Sequence, residues 1–381
     1  MQVFFRRGVR AALIGAPLLS VFAAPTAFAQ STVEDPAFQG LGSSPATKRS
    51  AASAQIVKKK SEPATNNSET TSVHSMRHAG MWMFEYRYMS MVQDGILNNM
   101  KQIDPLSLLH NPNYLDANGN QVDSIGTDMT MDMHMFMAMY DVTSKFSLMV
   151  MGNYLVNSMN MTMQMMPGEP YEPMTMETSG IGDTQVAAMF KLDDYLLYNP
   201  WFTLTVSLPT GSIDETYTTT MMMDGEMMEQ ELVQPYDMQL GSGTYDITPS
   251  LSMSNRIGPW QLGYEMSYLW RTHDNVENYR WGNRFKVDGW TKYTFPSRTI
   301  ARVGIVHANW SGIDGRDTRI STNTANYGGQ RTDLSLGVAQ ELPGGFTVEG
   351  RYARPIHQSL DGFQMETDAV WELALQWMYM P

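Results

Sequence analysis

The sequence contains no cysteine. That excludes disulfides, thiolate metal ligands and a thiol nucleophile. Beyond residue 30 no apolar run is long enough for a membrane-spanning helix. Basic residues are scarce: 26 Lys and Arg stand against 39 Asp and Glu, a formal net charge of −13. Removing the three arginines of the leader makes it roughly −16, which argues against nucleic acid as a partner. The seven histidines (His74, His78, His110, His134, His273, His307 and His357) show no metal-ligand spacing. No Ser/His/Asp arrangement stands out. Gly241-Ser242-Gly243 is followed by no helical pattern, so it is neither a phosphate loop nor a nucleophile elbow. The chain is not read as an enzyme.

What is present begins with a secretory leader, residues 1–29. Arg6, Arg7 and Arg10 form its basic start, 11–24 its apolar middle, and Ala27-Phe28-Ala29 its cleavage site. Residues 30–77 are rich in Ser, Ala, Thr, Pro and Asn, carry a Lys58-Lys59-Lys60 run, and read as a disordered low-complexity segment.

From His78 to the C-terminus the pattern changes to segments of strict alternation. Trp82, Phe84, Tyr86 and Tyr88 share one face, while Glu85 and Arg87 share the other with Met83 and Met89. Trp260, Leu262, Tyr264, Met266, Tyr268 and Trp270 alternate with Gln261, Glu265, Ser267 and Arg271. Trp371, Leu373, Leu375 and Trp377 oppose Glu372, Ala374 and Gln376. Aromatic-tipped apolar stripes backed by charge are the mark of strands with lipid on one side and a polar lumen on the other. Short turns at 141–145, 193–200, 257–259, 295–297 and 342–345 alternate with connections at 92–126, 161–179, 211–242, 272–278, 311–329 and 358–364, most of them longer. The fold class is therefore all-β: an up-and-down antiparallel transmembrane barrel of about 12 strands over 78–381, in a bacterial outer membrane, with both ends periplasmic.

Ser207-Leu208-Pro209-Thr210-Gly211-Ser212, the stretch 235–246 and Gly180-Ile181-Gly182-Asp183-Thr184 carry a resemblance. With the Met-rich segment, they look like the outer-membrane barrel family labelled for the meta-pathway of phenol degradation. The resemblance runs from Trp82 to the C-terminus and implies a channel for aromatic compounds. The Met-rich type looks like members found alongside copper-resistance systems, and the family offers no catalytic residues. The terminal Tyr379-Met380-Pro381 departs from the terminal aromatic usual in such barrels.

Methionine is abundant, with 34 residues, and every odd position from Met129 to Met139 is methionine. Period two makes this a strand with a row of thioethers on one face. The next strand begins at Phe146, and the turn between them decides the facing, because a one-residue slip reverses both faces. A turn over 141–144 points the row at lipid. A turn over 141–145 pairs Tyr140 with Phe146 and points the row at the lumen beside Met149 and Met151, the facing we favour.

Thioethers are soft ligands suited to Cu(I), and also adaptable hydrophobes. The candidate metal residues are Met131, Met133, His134, Met135, Met137, Met149 and Met151 in the wall. Met159, Met161, Met163 and Met165, which run off the end of the strand 146–163 into a long outer loop, and Met221, Met222, Met223, Met227 and Met228 in the next long loop are candidates as well. One functional reading is a transporter or channel for Cu(I) or Ag(I) that hands its ion to periplasmic metal-handling partners. The other is a passive diffusion channel for small hydrophobic or aromatic compounds. There Arg271, Arg280, Arg284 and Lys286 set charge preference and the methionines form a greasy lining.

Overall fold

The alternation closes into a cylinder. The computed structural model describes residues 79–192, 199–223 and 226–380, without the side chains of 220–227. The leader, the segment 30–77 and the Asp193-Asp194 turn lie outside the described residues. Strands follow in the order β1 (Trp82–Asn99), β2 (Lys101–Ile103), β3 (Ser124–Thr143), β4 (Phe146–Met163), β5 (Glu172–Ile181), β6 (Thr184–Lys191), β7 (Trp201–Leu208), β8 (Thr216–Met223) and β9 (Glu226–Val233). Then come β10 (Asp246–Ile257), β11 (Trp260–Arg271), β12 (Tyr279–Arg280), β13 (Arg284–Thr294), β14 (Thr299–Trp310), β15 (Asp314–Gly315), β16 (Gly329–Leu342) and β17 (Phe346–Tyr379). Among the described residues there is no α-helix, only three short 3-10 turns.

The wall runs β1-β3-β4-β6-β7-β10-β11-β13-β14-β16-β17, and β17 pairs back onto β1. These are eleven strands by continuity, yet β17 is 34 residues long. A straight strand of that length would span roughly 110 Å. Its first part pairs with β16 up to Leu360, and the remainder pairs with β1 from Leu360 to Tyr379. The chain reverses at Asp361-Gly362, where Gly362 takes φ 71°. The barrel therefore has twelve wall passes, with no loop at 358–364.

The turn after β3 follows neither anticipated geometry. The strands close on Ser144-Lys145, with Thr143 opposite Phe146, and a bulge between Asp141 and Thr143 absorbs one residue. Tyr140 therefore pairs with Leu148, and Met137 and Met139 pair with Met151 and Met149. This register is two residues from the lumen-facing alternative, and a slip of two preserves the faces. The methionine row points inward: Met129 and Met139 are buried, whereas Phe136, Leu148 and Val150 are exposed on the outer surface.

Height along the wall follows from the aromatics. Trp82 pairs with Tyr379 on one side and Tyr140 on the other, with Trp82 and Tyr140 rings 4.7 Å apart. Phe146–Phe190 at 4.9 Å and Trp260–Tyr293 at 4.8 Å extend this girdle at the turn end, which is periplasmic. Eight residues higher on β3, at Asp132, the outward face turns polar. There Asn160 donates to Asp128 at 2.7 Å and Thr175 to Asn160 at 2.9 Å. Strands β3, β4 and β5 thus stand well above the ~25 Å apolar band. The 161–179 connection is mostly strand, because the Met/Thr alternation continues and pairs Met159 with Met176 and Met161 with Met174.

Val150 sits on the lipid face near mid-height, opposite Ala138 and Val186. Val150→Arg should destabilise the barrel by about 2–4 kcal/mol in lipid-vesicle unfolding, the amount expected for a mid-membrane arginine.

Candidate functional site

The lumen has two unlike halves. One is built from β1, β3, β4, β5 and β6 and is lined by thioethers. Near the periplasmic end Met83, Met139 and Met189 are buried together, with Met137, Met149 and Met378 against them. At the outer end Met129, Met159, Met176 and Met238 form a second buried group, flanked by Met131, Met161, Met174 and Met365. Met133 and Met135 lie between the two groups on the same strand face, opposite Met89 and Arg87 of β1.

The other half is charged and comes from β11, β13, β14, β16 and β17. Arg302 meets Asp288 at 2.8 Å and donates to Ser335 at 2.9 Å. Arg331 meets Asp333 at 3.0 Å and donates to Thr367 at 2.7 Å. Arg87 reaches Glu85 on its own strand at 2.8 Å and, across the seam, Glu372 at 2.6 Å, and Arg351 also pairs with Glu372. Of the four basic residues expected to form this wall, Lys286 reaches the mid-lumen. Arg271 binds Asp246 nearer the outer end, Arg284 stacks on Trp310 at 5.6 Å, and Arg280 pairs with Asp314 in an outer loop. Where the halves meet, a cavity of about 290 Å³ is bounded by Met89 and Met135, with Arg87 beside them on the same side, and by Glu265, Lys286 and Asp288 on the other.

His134 leaves the methionine set. It lies on the lipid face, with Tyr86 Oη 2.9 Å from its Nδ1 and the Tyr88 ring 5.2 Å away. Odd positions face in and even positions out, so no rotamer brings it to the row. Met159, Met161 and Met163 lie on β4, whose bounds Phe146–Met163 are those expected, while Met165 is exposed in the loop beyond it. Met228 is exposed on the β8–β9 hairpin. The side chains of Met221, Met222, Met223 and Met227 lie outside the described residues. Among the described residues no three His, Asp or Glu side chains are grouped to hold a metal. Residue-by-residue reading did not single out Met238 and Met365, because neither belongs to an alternating Met run; they arrive from distant strands and loops.

The outer mouth is narrowed by the segment 234–245, which folds inward beside β5. Thr178 donates to the Met238 carbonyl at 2.8 Å. Asp183, in the break between β5 and β6, fastens this segment to the wall. It accepts from Gly211 N at 3.0 Å, Ser242 N at 2.9 Å and Ser242 Oγ at 2.7 Å. A β-carbon on Gly241 would lie 2.4 Å from the Gly211 carbonyl oxygen, and one on Gly211 would lie 2.5 Å from the Leu240 oxygen. The three stretches that carried the family resemblance thus meet at one fastening whose two glycines admit no side chain. Asp237, on the same segment, keeps a partly open surface, yet the dense protein around it pushes its carboxyl up to about 7.

Removing the fastening should loosen the segment without opening the wall. In Asp183→Ala, three donors lose their acceptor at about 1 kcal/mol or more each, and amide exchange at Gly211 and Ser242 should accelerate at least about tenfold. Neutral Asp237 stabilises the packed segment fully below the ordinary carboxylate value of 3.8, and that contribution is lost as pH rises through about 7. Protease cleavage within 234–245 should therefore rise between about pH 4 and pH 7 in the native chain, level off above that, and stay flat in Asp237→Asn.

No family model and no curated protein matches the chain, so the phenol-degradation label gains no support there. Solved structures do match. An outer membrane channel from Pseudomonas putida F1 aligns over 79% of this chain and 96% of its own, at 11% identity and TM-score 0.51. The Ralstonia pickettii toluene transporter TbuX aligns over 80% and 91%, at 11% identity and TM-score 0.46. A Pseudomonas aeruginosa FadL homologue aligns over 78% and 90%, at 10% identity and TM-score 0.40. At such identity the first likeness is one of fold, and with the closed wall and its aromatic girdle it places the chain among outer-membrane β-barrels.

Proposed function

We propose that the protein is a passive channel for small hydrophobic or aromatic compounds that carry a polar group. The observation behind this reading is the mid-lumen cavity, in which Met89 and Met135 lie beside Arg87 and Glu372 and face Glu265, Lys286 and Asp288 across the lumen. Methionine offers an apolar, polarizable surface that adapts to flat rings and makes favourable sulfur–aromatic contacts. The opposite side offers hydrogen-bond donors and acceptors of both signs. A single-ring compound with a hydroxyl or carboxylate satisfies both sides at once, as ligand sites with apolar walls and few polar contacts do. A small sugar leaves the thioether side unsatisfied.

A second reading is passage of a soft metal ion such as Cu(I) or Ag(I). It is favoured by the run of sulfurs along one wall, from Met139 and Met189 at one mouth to Met129 and Met159 at the other.

Proteoliposome flux tests the first reading. Benzoate, ionised at neutral pH and unable to cross lipid quickly, should pass faster than an aliphatic hydroxy acid of similar size. Met135→Asp, which makes the cavity polar on both sides, should reduce that preference by about tenfold, since one apolar contact surface is worth ~1–3 kcal/mol. Equal rates for the two acids through the native barrel would overturn the reading.

A further inference from the structure

The outer end of the barrel holds three buried apolar clusters of similar size. One is Tyr236, Tyr279, Ile313, Ile320 and Tyr327, with Val233 and Trp281 against it. The next is Ile96, Leu108, Leu109 and Ile125, with Ile103, Tyr114 and Phe363. Neither contains a methionine. In the third, all four buried members are methionine, as are four of the five partly buried residues packed on them. If the mouth needed only apolar filling, the mixture used next door would serve. Methionine is a weaker specifier of packing than branched aliphatics, being flexible. What it adds is sulfur.

The placement of these sulfurs also favours a ligand. The four buried methionines come from four elements: Met129 from β3, Met159 from β4, Met176 from β5 and Met238 from the inward-folded segment. Met365 joins from β17. At Gly126 the backbone is bare. A β-carbon there would lie 3.1 Å from Met159 Sδ and 3.6 Å from Met365 Sδ, so sulfurs from opposite sides converge on one spot. Cu(I) and Ag(I) accept few, soft ligands without rigid geometry, and thioether chains can turn to provide them.

We propose that Met129, Met159, Met176, Met238 and Met365 form an all-thioether binding site for a soft monovalent cation, Cu(I) or Ag(I), in the outer mouth. It rests on the second reading for its chemistry but not on transport. The site binds the ion where the inward-folded segment meets the wall, so occupancy also ties Met238 to three wall strands.

Silver ion, which needs no reductant, is the probe. The refolded full chain in detergent should take up about one Ag(I) per barrel in competition with free methionine, and X-ray absorption should place sulfur alone in its first shell. Replacing Met129, Met159, Met176 and Met238 with Leu keeps volume and apolarity, a change cores usually tolerate. Affinity should fall by more than about 100-fold while the barrel keeps its heat-modifiable gel mobility. Met83→Leu with Met139→Leu and Met189→Leu, at the periplasmic end, should leave that uptake intact. No uptake by the native chain, oxygen or nitrogen in the first shell, or unchanged affinity in the folded quadruple variant would each overturn the site. If the quadruple variant fails to fold, the absorption spectrum of the native chain decides alone. Ag(I) flux through proteoliposomes separates the two ideas: binding without flux sinks the metal-transport reading and leaves the site standing.

Discussion

A backbone in lipid has no water to bond, so every amide of the spanning wall must find a partner within the wall. The seam between β1 and β17 satisfies that demand, from Trp82 with Tyr379 through to Asn99 with Leu360. With the seam closed the wall has no edge strand, and each of its side chains faces either lipid or lumen by parity alone. The bulge between Asp141 and Thr143 matters for this reason. Had it not absorbed its residue, β3 and β4 would meet one step out of register, with six methionines and Phe136 exchanging faces. Neither side would then match its surroundings.

Closure leaves two inner surfaces of different stiffness. On the charged half, arginines are tied to carboxylates at short range, and Arg87 carries the tie across the seam to Glu372. Ion pairs this enclosed add little net stability, since desolvation offsets attraction, but they hold their side chains in one arrangement. On the thioether half the side chains have three rotatable bonds and no fixed partner geometry. A solute in the central cavity therefore meets a fixed polar surface and a yielding apolar one. At the outer mouth, the segment around Met238 is held by Asp183 and abuts the thioether half, so anything that enters passes the yielding side first.

Much of this was legible in the sequence, because period two is the signal a half-buried strand writes most plainly. Trp82–Tyr88, Trp260–Trp270 and Trp371–Trp377 announced strand, lipid face and girdle together. Connections were harder. Polar residues above the membrane look like loop, and only pairing partners revealed that Met174 and Met176 belong to a strand. Asp361-Gly362 read as part of a loop, although two residues suffice to reverse a strand. In the lumen, the row from Met129 to Met139 was visible, but its neighbours Met238 and Met365 were not. Contacts between residues more than 100 positions apart leave no periodic trace. His134 misled for the opposite reason: adjacency in sequence places it on the other side of the sheet.

The inward facing of the thioethers has a chemical consequence of its own. A dissolved oxidant that enters the mouth meets this wall directly, whereas lipid-facing methionines would be screened from it. Each sulfur that gains an oxygen becomes a polar, chiral sulfoxide. With 34 methionines and no thiol, the chain would register oxidative damage on thioethers in the main, and reductases can reverse that damage. A fully oxidised lumen would be polar on every side, and the contrast between its halves would vanish without any strand moving.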